Sequence, residues 1–134
     1  MTSTIQRLNP KGLANHRANI YSQLVVASSE ARTVYLSGQV SRNEKGETVG
    51  KGDIVAQTEQ VIQNLRTALA EVSADLTDLV KVTIYTTEMR YCPQIDEVRR
   101  RHFTGSLPVS TLLEVRKLSQ PDYLIEIDGI AVIA

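Results

Sequence analysis

Tryptophan is absent from this chain, and cysteine and phenylalanine occur once each among 134 residues. A single thiol, Cys92, excludes an intrachain disulfide and a cysteine-based zinc cluster. Five tyrosines and Phe103 are the only Phe, Tyr or Trp residues, which leaves few flat platforms for stacking bases. Fifteen basic side chains balance fifteen acidic ones. A net charge of zero steers the chain toward neither nucleic acid nor an anionic membrane. No apolar run approaches the roughly 20 residues that span a bilayer. Met1 to Arg7 lacks the apolar stretch of a signal peptide, so a cytoplasmic protein is expected. Metal-ligand spacing, a P-loop and a dinucleotide fingerprint are all missing, so neither a metal nor a cofactor is expected.

What is present fits one soluble globular domain over residues 1–134, with 42% hydrophobic and 22% charged residues. A chain of this length buries roughly two-thirds of its unfolded surface. Gln23 to Ala27 and Thr33 to Ser37 are short, apolar and rich in β-branched or aromatic residues, and the polar link Ser28 to Arg32 predicts a hairpin between them. After turns at Asn43–Gly46 and Gly50–Gly52, Asp53 is placed to cap a helix of about twenty residues. Ile54, Thr58, Val61, Leu65, Leu69 and Val72 form its apolar stripe, with Gln57, Gln60, Gln63, Arg66 and Glu71 on the other side. A strand follows around Val80 to Tyr85, then a helix opened by Pro93 and closed near Gly105. Two last strands run roughly from Ser110 to Val115 and from Leu124 to Ile133. The order is β-β-(β)-α-β-α-β-β, the bracketed addition being a short strand at Ile5 to Leu8. Two helices cover one face of a five- or six-stranded sheet. The final strand is apolar on both sides, so its uncovered face is expected to pack on other subunits.

Three stretches, Tyr21-Ser22-Gln23, Leu36-Ser37-Gly38-Gln39 and Leu124-Ile125-Glu126-Ile127, stand in an order and spacing that resemble the RidA family (reactive intermediate deaminase, also called YjgF/YER057c/UK114). The resemblance implies an α+β, chorismate mutase-like fold, a homotrimer, and small-molecule clefts between subunits. It assigns Glu126 to orienting and activating the water that attacks an imine carbon. Independently, a carboxylate among apolar strand residues is costly to bury unless paired or protonated, and Asp128 faces the same side. The other reading of this pair is two acids on a partly solvated face. By resemblance, Tyr21, Ser37, Gly38 and Gln39 line the cleft. Read alone, Tyr21 is a half-buried aromatic and Ser37-Gly38-Gln39 a strand-ending turn.

The departures bear on activity. Members that hydrolyse 2-imino acids carry arginine in a Pro-Ala-Arg-Ser/Thr segment, and this chain reads Pro108-Val109-Ser110-Thr111. Ser110 offers one neutral hydroxyl in place of a two-pronged cation. Charge-assisted hydrogen bonds contribute about 1.5–3 kcal/mol each, so recognition of a carboxylate falls by two to four orders of magnitude, at roughly tenfold per 1.4 kcal/mol. The family's cleft cysteine corresponds to Leu112, and its asparagine on the second helix to Asp96. Arg17, Arg90, Arg99 and Arg116 are candidate substitute cations that the sequence alone does not place in the cleft. Two function classes follow: a cofactor-free hydrolase or deaminase for a small imine, enamine or related metabolite, in which Gly38, Ser110 and Thr111 hold the substrate, or a trimer that binds a small metabolite without turnover. A third, ribonuclease or translation-inhibiting activity, is weaker. The one basic cluster, Arg99-Arg100-Arg101, spreads its side chains around a helix end, where cations favour the dipole. Neither a membrane nor a nucleic-acid partner is favoured.

Overall fold

The computed structural model of the chain describes residues 5–9, 11, 20, 22 and 24–134. Its elements are β1 (Ile5–Leu8), β2 (Leu24–Ala27), β3 (Arg32–Val40), α1 (Ile54–Ala70), β4 (Leu79–Thr86), α2 (Cys92–His102), β5 (Val109–Glu114) and β6 (Ile125–Ile133), with 3-10 turns at Leu76–Asp78 and Met89–Tyr91. Among the described residues no helix is long and apolar enough to cross a membrane.

Asp53 stands outside helix α1 in an extended conformation, and its Oδ1 accepts from Ala56 N at 3.0 Å. This satisfies one of the amides that a helix start leaves without an intrahelical acceptor. Ile54, Val61, Ile62, Leu65 and Leu69 are buried along one side. Val72, counted in the stripe by its spacing, lies beyond the helix end. Helix α2 takes Pro93 in its first turn, where no amide hydrogen bond is lost. Gly105, two residues past its cap, has φ +74°, a conformation that a Cβ would strain.

Four strands lie side by side in the order β3-β6-β4-β5. The β3–β6 and β6–β4 pairs are antiparallel, whereas β4 and β5 run parallel and are joined through α2. Strand β2 does not pair with β3 as its short polar link suggested. It pairs with β1, Ile5 opposite Ala27 and Leu8 opposite Leu24, so the described strands divide into sheets of four and two. A short link reverses the chain without choosing which strand takes the hydrogen bonds. The α+β architecture and the strand at Ile5–Leu8 agree with the sequence; the single larger sheet does not.

One face of the four-stranded sheet carries Leu36, Leu79, Val82, Ile84, Ile125, Ile127 and Ala131, and packs against Val61, Ile62, Leu65, Ile95, Val98 and Phe103. Each large apolar side chain fully buried there contributes about 1.5–3 kcal/mol. The opposite face is mixed rather than wholly apolar. Lys81, Thr83, Tyr85, Glu126 and Asp128 occupy its middle, with Ile130 half-buried and Tyr35 78% exposed.

Gln57 corrects the helix reading, since it is fully buried rather than on the polar side. Its Nε2 donates to Gly50 O at 3.2 Å and Asp122 O at 2.8 Å, and its Oε1 accepts from Leu124 N at 2.9 Å. One amide thereby ties the turn before α1 to the segment that enters β6. Gln57→Ala leaves three backbone groups without that partner and opens a cavity. The expected loss is about 3 kcal/mol, read as a drop in Tm of roughly 10 °C. An unchanged Tm would contradict this role.

Candidate functional site

Strand β3 carries a bulge between Leu36 and Gln39, where the pairing with β6 slips. An extra residue reverses the alternation of sides. Leu36 therefore faces the helices, Gly38 faces the uncovered side, and Gln39 turns back toward α1. Glu126 on β6 lies directly over Gly38: a Cβ at residue 38 would meet Glu126 Oε2 at 2.2 Å and its Cδ at 2.8 Å. The backbone there does not need a positive φ. Glycine at 38 is required for the space that the carboxylate occupies.

Glu126 is half-buried and paired in register with Val40 on one side and Tyr85 on the other. The Tyr85 hydroxyl donates to Asp128 Oδ2 at 2.9 Å. That hydrogen bond, then partial desolvation, then the charges of Asp128 and Glu126 push the Tyr85 hydroxyl above the usual tyrosine value. Tyr85 thus remains a protonated donor at neutral pH, and it ties down Asp128. No cation lies within ion-pairing distance of Glu126 or Asp128 among the described residues. Thr111, opposite Thr83, shares this face and is exposed.

Ser110 and Leu112 point the other way. Ser110 pairs with Val82 and Leu112 with Ile84, both on the helix-covered face. Helix α2 brings Arg99 against Ser110. The guanidinium is 1% exposed. Its Nη2 donates to Ser110 Oγ at 2.8 Å and to Ile20 O at 3.3 Å. Nη1 stands 3.5 Å from Asp96 Oδ1, and the Phe103 ring centroid is 5.9 Å away. Asp96, 6% exposed, also accepts from the Cys92 thiol at 3.6 Å.

Tyr21 lies outside the described residues, as does Arg17 among the candidate cations. Its neighbours are fastened beside β5, Ile20 through Arg99, and Ser22 by its amide to Pro108 O at 2.7 Å. Ser37 is exposed and its carbonyl receives Gln39 Nε2 at 3.4 Å. Gln39 lines a cavity of about 550 Å³ with Arg42, Gln60, Gln63 and Asn64. A second cavity of about 610 Å³ is lined by Glu88, Arg116, Lys117, Gln120 and Tyr123. Neither is lined by Glu126, Ser110 or Thr111.

Apart from Ser37, the predicted residues that the structure describes fall into two groups. Gly38, Thr111 and Glu126 are on the uncovered face; Gln39, Asp96, Ser110 and Leu112 are on the helix side. The three consecutive arginines also diverge, Arg99 to Asp96, Arg100 to Glu97 at 3.5 Å and Arg101 to Glu59 at 3.4 Å. His102 meets the same Glu59 at 2.5 Å, a partner on α1 that the sequence did not reveal. Reading the chain alone also missed the placement of Arg99 and Tyr85. For Arg99 a signal existed: it follows Asp96 by three residues, one turn along the side of the helix that carries Ile95 and Val98.

Comparison with known proteins agrees with the motifs. The family described as Endoribonuclease L-PSP matches residues 13–133. A RutC family protein of Pyrococcus horikoshii is 35% identical over 111 residues, covering 83% of this chain and 85% of that one. The mouse 2-iminobutanoate/2-iminopropanoate deaminase is 30% identical over 132 residues, 98% of this chain and 95% of its own. The crystal structure of YyfB, a conserved Rid family protein of unknown function from Yersinia pestis, superposes with a TM-score of 0.83 at 28% identity and covers 98% of this chain and all of that one. With the family match over residues 13–133 and the same α+β framework, the chain belongs to the RidA (YjgF/UK114) family.

Proposed function

We propose that this chain is a cofactor-free hydrolase that deaminates a small imine, enamine or related reactive metabolite in a cleft completed by a neighbouring copy of a homotrimer. The observation that carries this reading is the Glu126 carboxylate, seated over Gly38 on the uncovered sheet face with no cation among the described residues to neutralise it. Such a group takes a proton from water as the water oxygen attacks the imine carbon. The proton then passes to nitrogen as the C–N bond breaks and its electron pair stays on nitrogen. In sum, one protonated imine and one water give one carbonyl compound and one ammonium ion. The mouse relative is named for this chemistry on two 2-imino acids.

A second copy is part of the reading because of where the residues lie. Ser110 and Glu126 are on strands that flank β4, about 10 Å apart, and on opposite faces. One chain cannot close both around one small ligand, whereas β5 is an edge strand against which a neighbour can complete the cleft. The ribonuclease reading gains no support from the basic cluster, whose three arginines each meet a carboxylate.

Activity on 2-imino acids is expected to be weak. Ser110 supplies no charge, and Arg99 beside it is turned inward to Asp96. Ammonia release from 2-iminopropanoate, formed in situ from alanine, should be at least hundredfold slower than with an arginine-bearing member of the family. Imine formed from isopropylamine should be hydrolysed faster than its spontaneous rate. Sedimentation as a monomer, or rapid 2-iminopropanoate hydrolysis, would end this reading.

A further inference from the structure

We propose that Ser110, held by Arg99, is the ligand-reading group of the cleft and selects a neutral acceptor oxygen, the carbonyl of an amide, over a carboxylate. This rests on the cleft proposed above and names what its ligand must carry. A guanidinium has donors only, so in the 2.8 Å contact with Arg99 Nη2 the Ser110 oxygen is the acceptor. The single hydroxyl proton is then left to donate, and no acceptor within the described residues takes it. Ser110 is half-buried, which leaves that proton a way out toward a ligand. Accepting a bond from a cation also polarises the hydroxyl and makes it the stronger donor.

Arg99 acts through Ser110 and is a positioning residue. Both N–H groups of Nη2 have acceptors, Ser110 Oγ and Ile20 O, and Nη1 faces Asp96 Oδ1 at 3.5 Å. Phe103 lies over the guanidinium. Nη2 therefore has no N–H left to grip a carboxylate, and Asp96 offsets the charge at close range. An anion brought to Ser110 would lose its water for one hydrogen bond, whereas a neutral carbonyl has much less hydration to lose. A serine at this place on strand β5 decides the kind of ligand, not merely the strength of the grip.

Pyruvamide and pyruvate differ only at the group in question and are suitable probes. Their affinities for the intact oligomer can be measured by calorimetry or by ligand-detected NMR. Pyruvamide should bind at least tenfold more tightly than pyruvate. Ser110→Ala, a small change at a half-buried site, should weaken pyruvamide about tenfold and leave pyruvate within twofold. Arg99→Lys, which keeps a charge beside Asp96 but not the fork, should narrow the preference while the fold, followed by circular dichroism, persists. Equal or tighter binding of pyruvate, binding of neither probe, or a preference that survives Ser110→Ala would overturn the proposal. These are affinities, so they separate from the hydrolase reading: loss of the preference leaves Glu126 chemistry untouched, and absence of turnover leaves the preference standing.

Discussion

Glu126→Gln is expected to lower imine turnover at least hundredfold while ligand affinity stays within about threefold. General-base assistance by a positioned side chain contributes typically 10²–10⁴-fold, and glutamine cannot accept the proton that attacking water must lose. The replacement keeps the length, the shape and one acceptor oxygen, and it fits the same space over Gly38. Tyr85 continues to hold Asp128, because their 2.9 Å hydrogen bond does not involve residue 126. Stability should change little at this half-buried position on the uncovered face. Initial rates of ammonia release, read beside calorimetric affinities on the same preparations, separate chemistry from binding. Undiminished turnover with intact ligand binding would show that water is activated elsewhere, and would take the hydrolase mechanism with it.

Local patterns in this chain are legible where one element decides the outcome. Asp53 caps α1, Pro93 opens α2, and β5 and β6 fall within a residue or so of their expected limits, because caps and periodicity act over a few residues. What the sequence does not carry is the choice of partner. Strand β2 had two neighbours to pair with and took β1. Gln57 reads as a surface residue until the loops that it fastens are brought to it from residues 50 and 122. The site behaves likewise. Glu126 and Gly38 are each suspicious in sequence, yet only the register of β3 on β6, with its bulge, puts one over the other. Ser110 is readable as a missing charge, but the guanidinium beside it arrives from the preceding helix, eleven residues away in the chain. Tyr85 meets Asp128 because β4 lies between β5 and β6, an arrangement fixed by the parallel crossover through α2.

Gly38→Ala should reduce turnover nearly as far as Glu126→Gln, and for a different physical reason. The added methyl would meet Glu126 Oε2 at 2.2 Å, Cδ at 2.8 Å and Cγ at 3.1 Å, so the two groups cannot share the space. The backbone at residue 38 is outside the left-handed region, and alanine brings no conformational strain of its own. What must yield is the end of a flexible side chain, and rotating it away costs about 0.5–1.5 kcal/mol if it leaves a preferred rotamer. Removing a glycine from a strand returns a similar amount through the unfolded chain. Tm should therefore stay within a few degrees of the parent while the carboxylate swings off the bulge. A displacement of about 1 Å at a reacting centre is enough to lose on the order of 10²-fold in rate. The informative result is the combination: preserved melting, preserved oligomer and lost turnover. If Gly38→Ala turns over at the parent rate, the seat beneath Glu126 has no part in catalysis, and the close fit of residues 38 and 126 is packing alone.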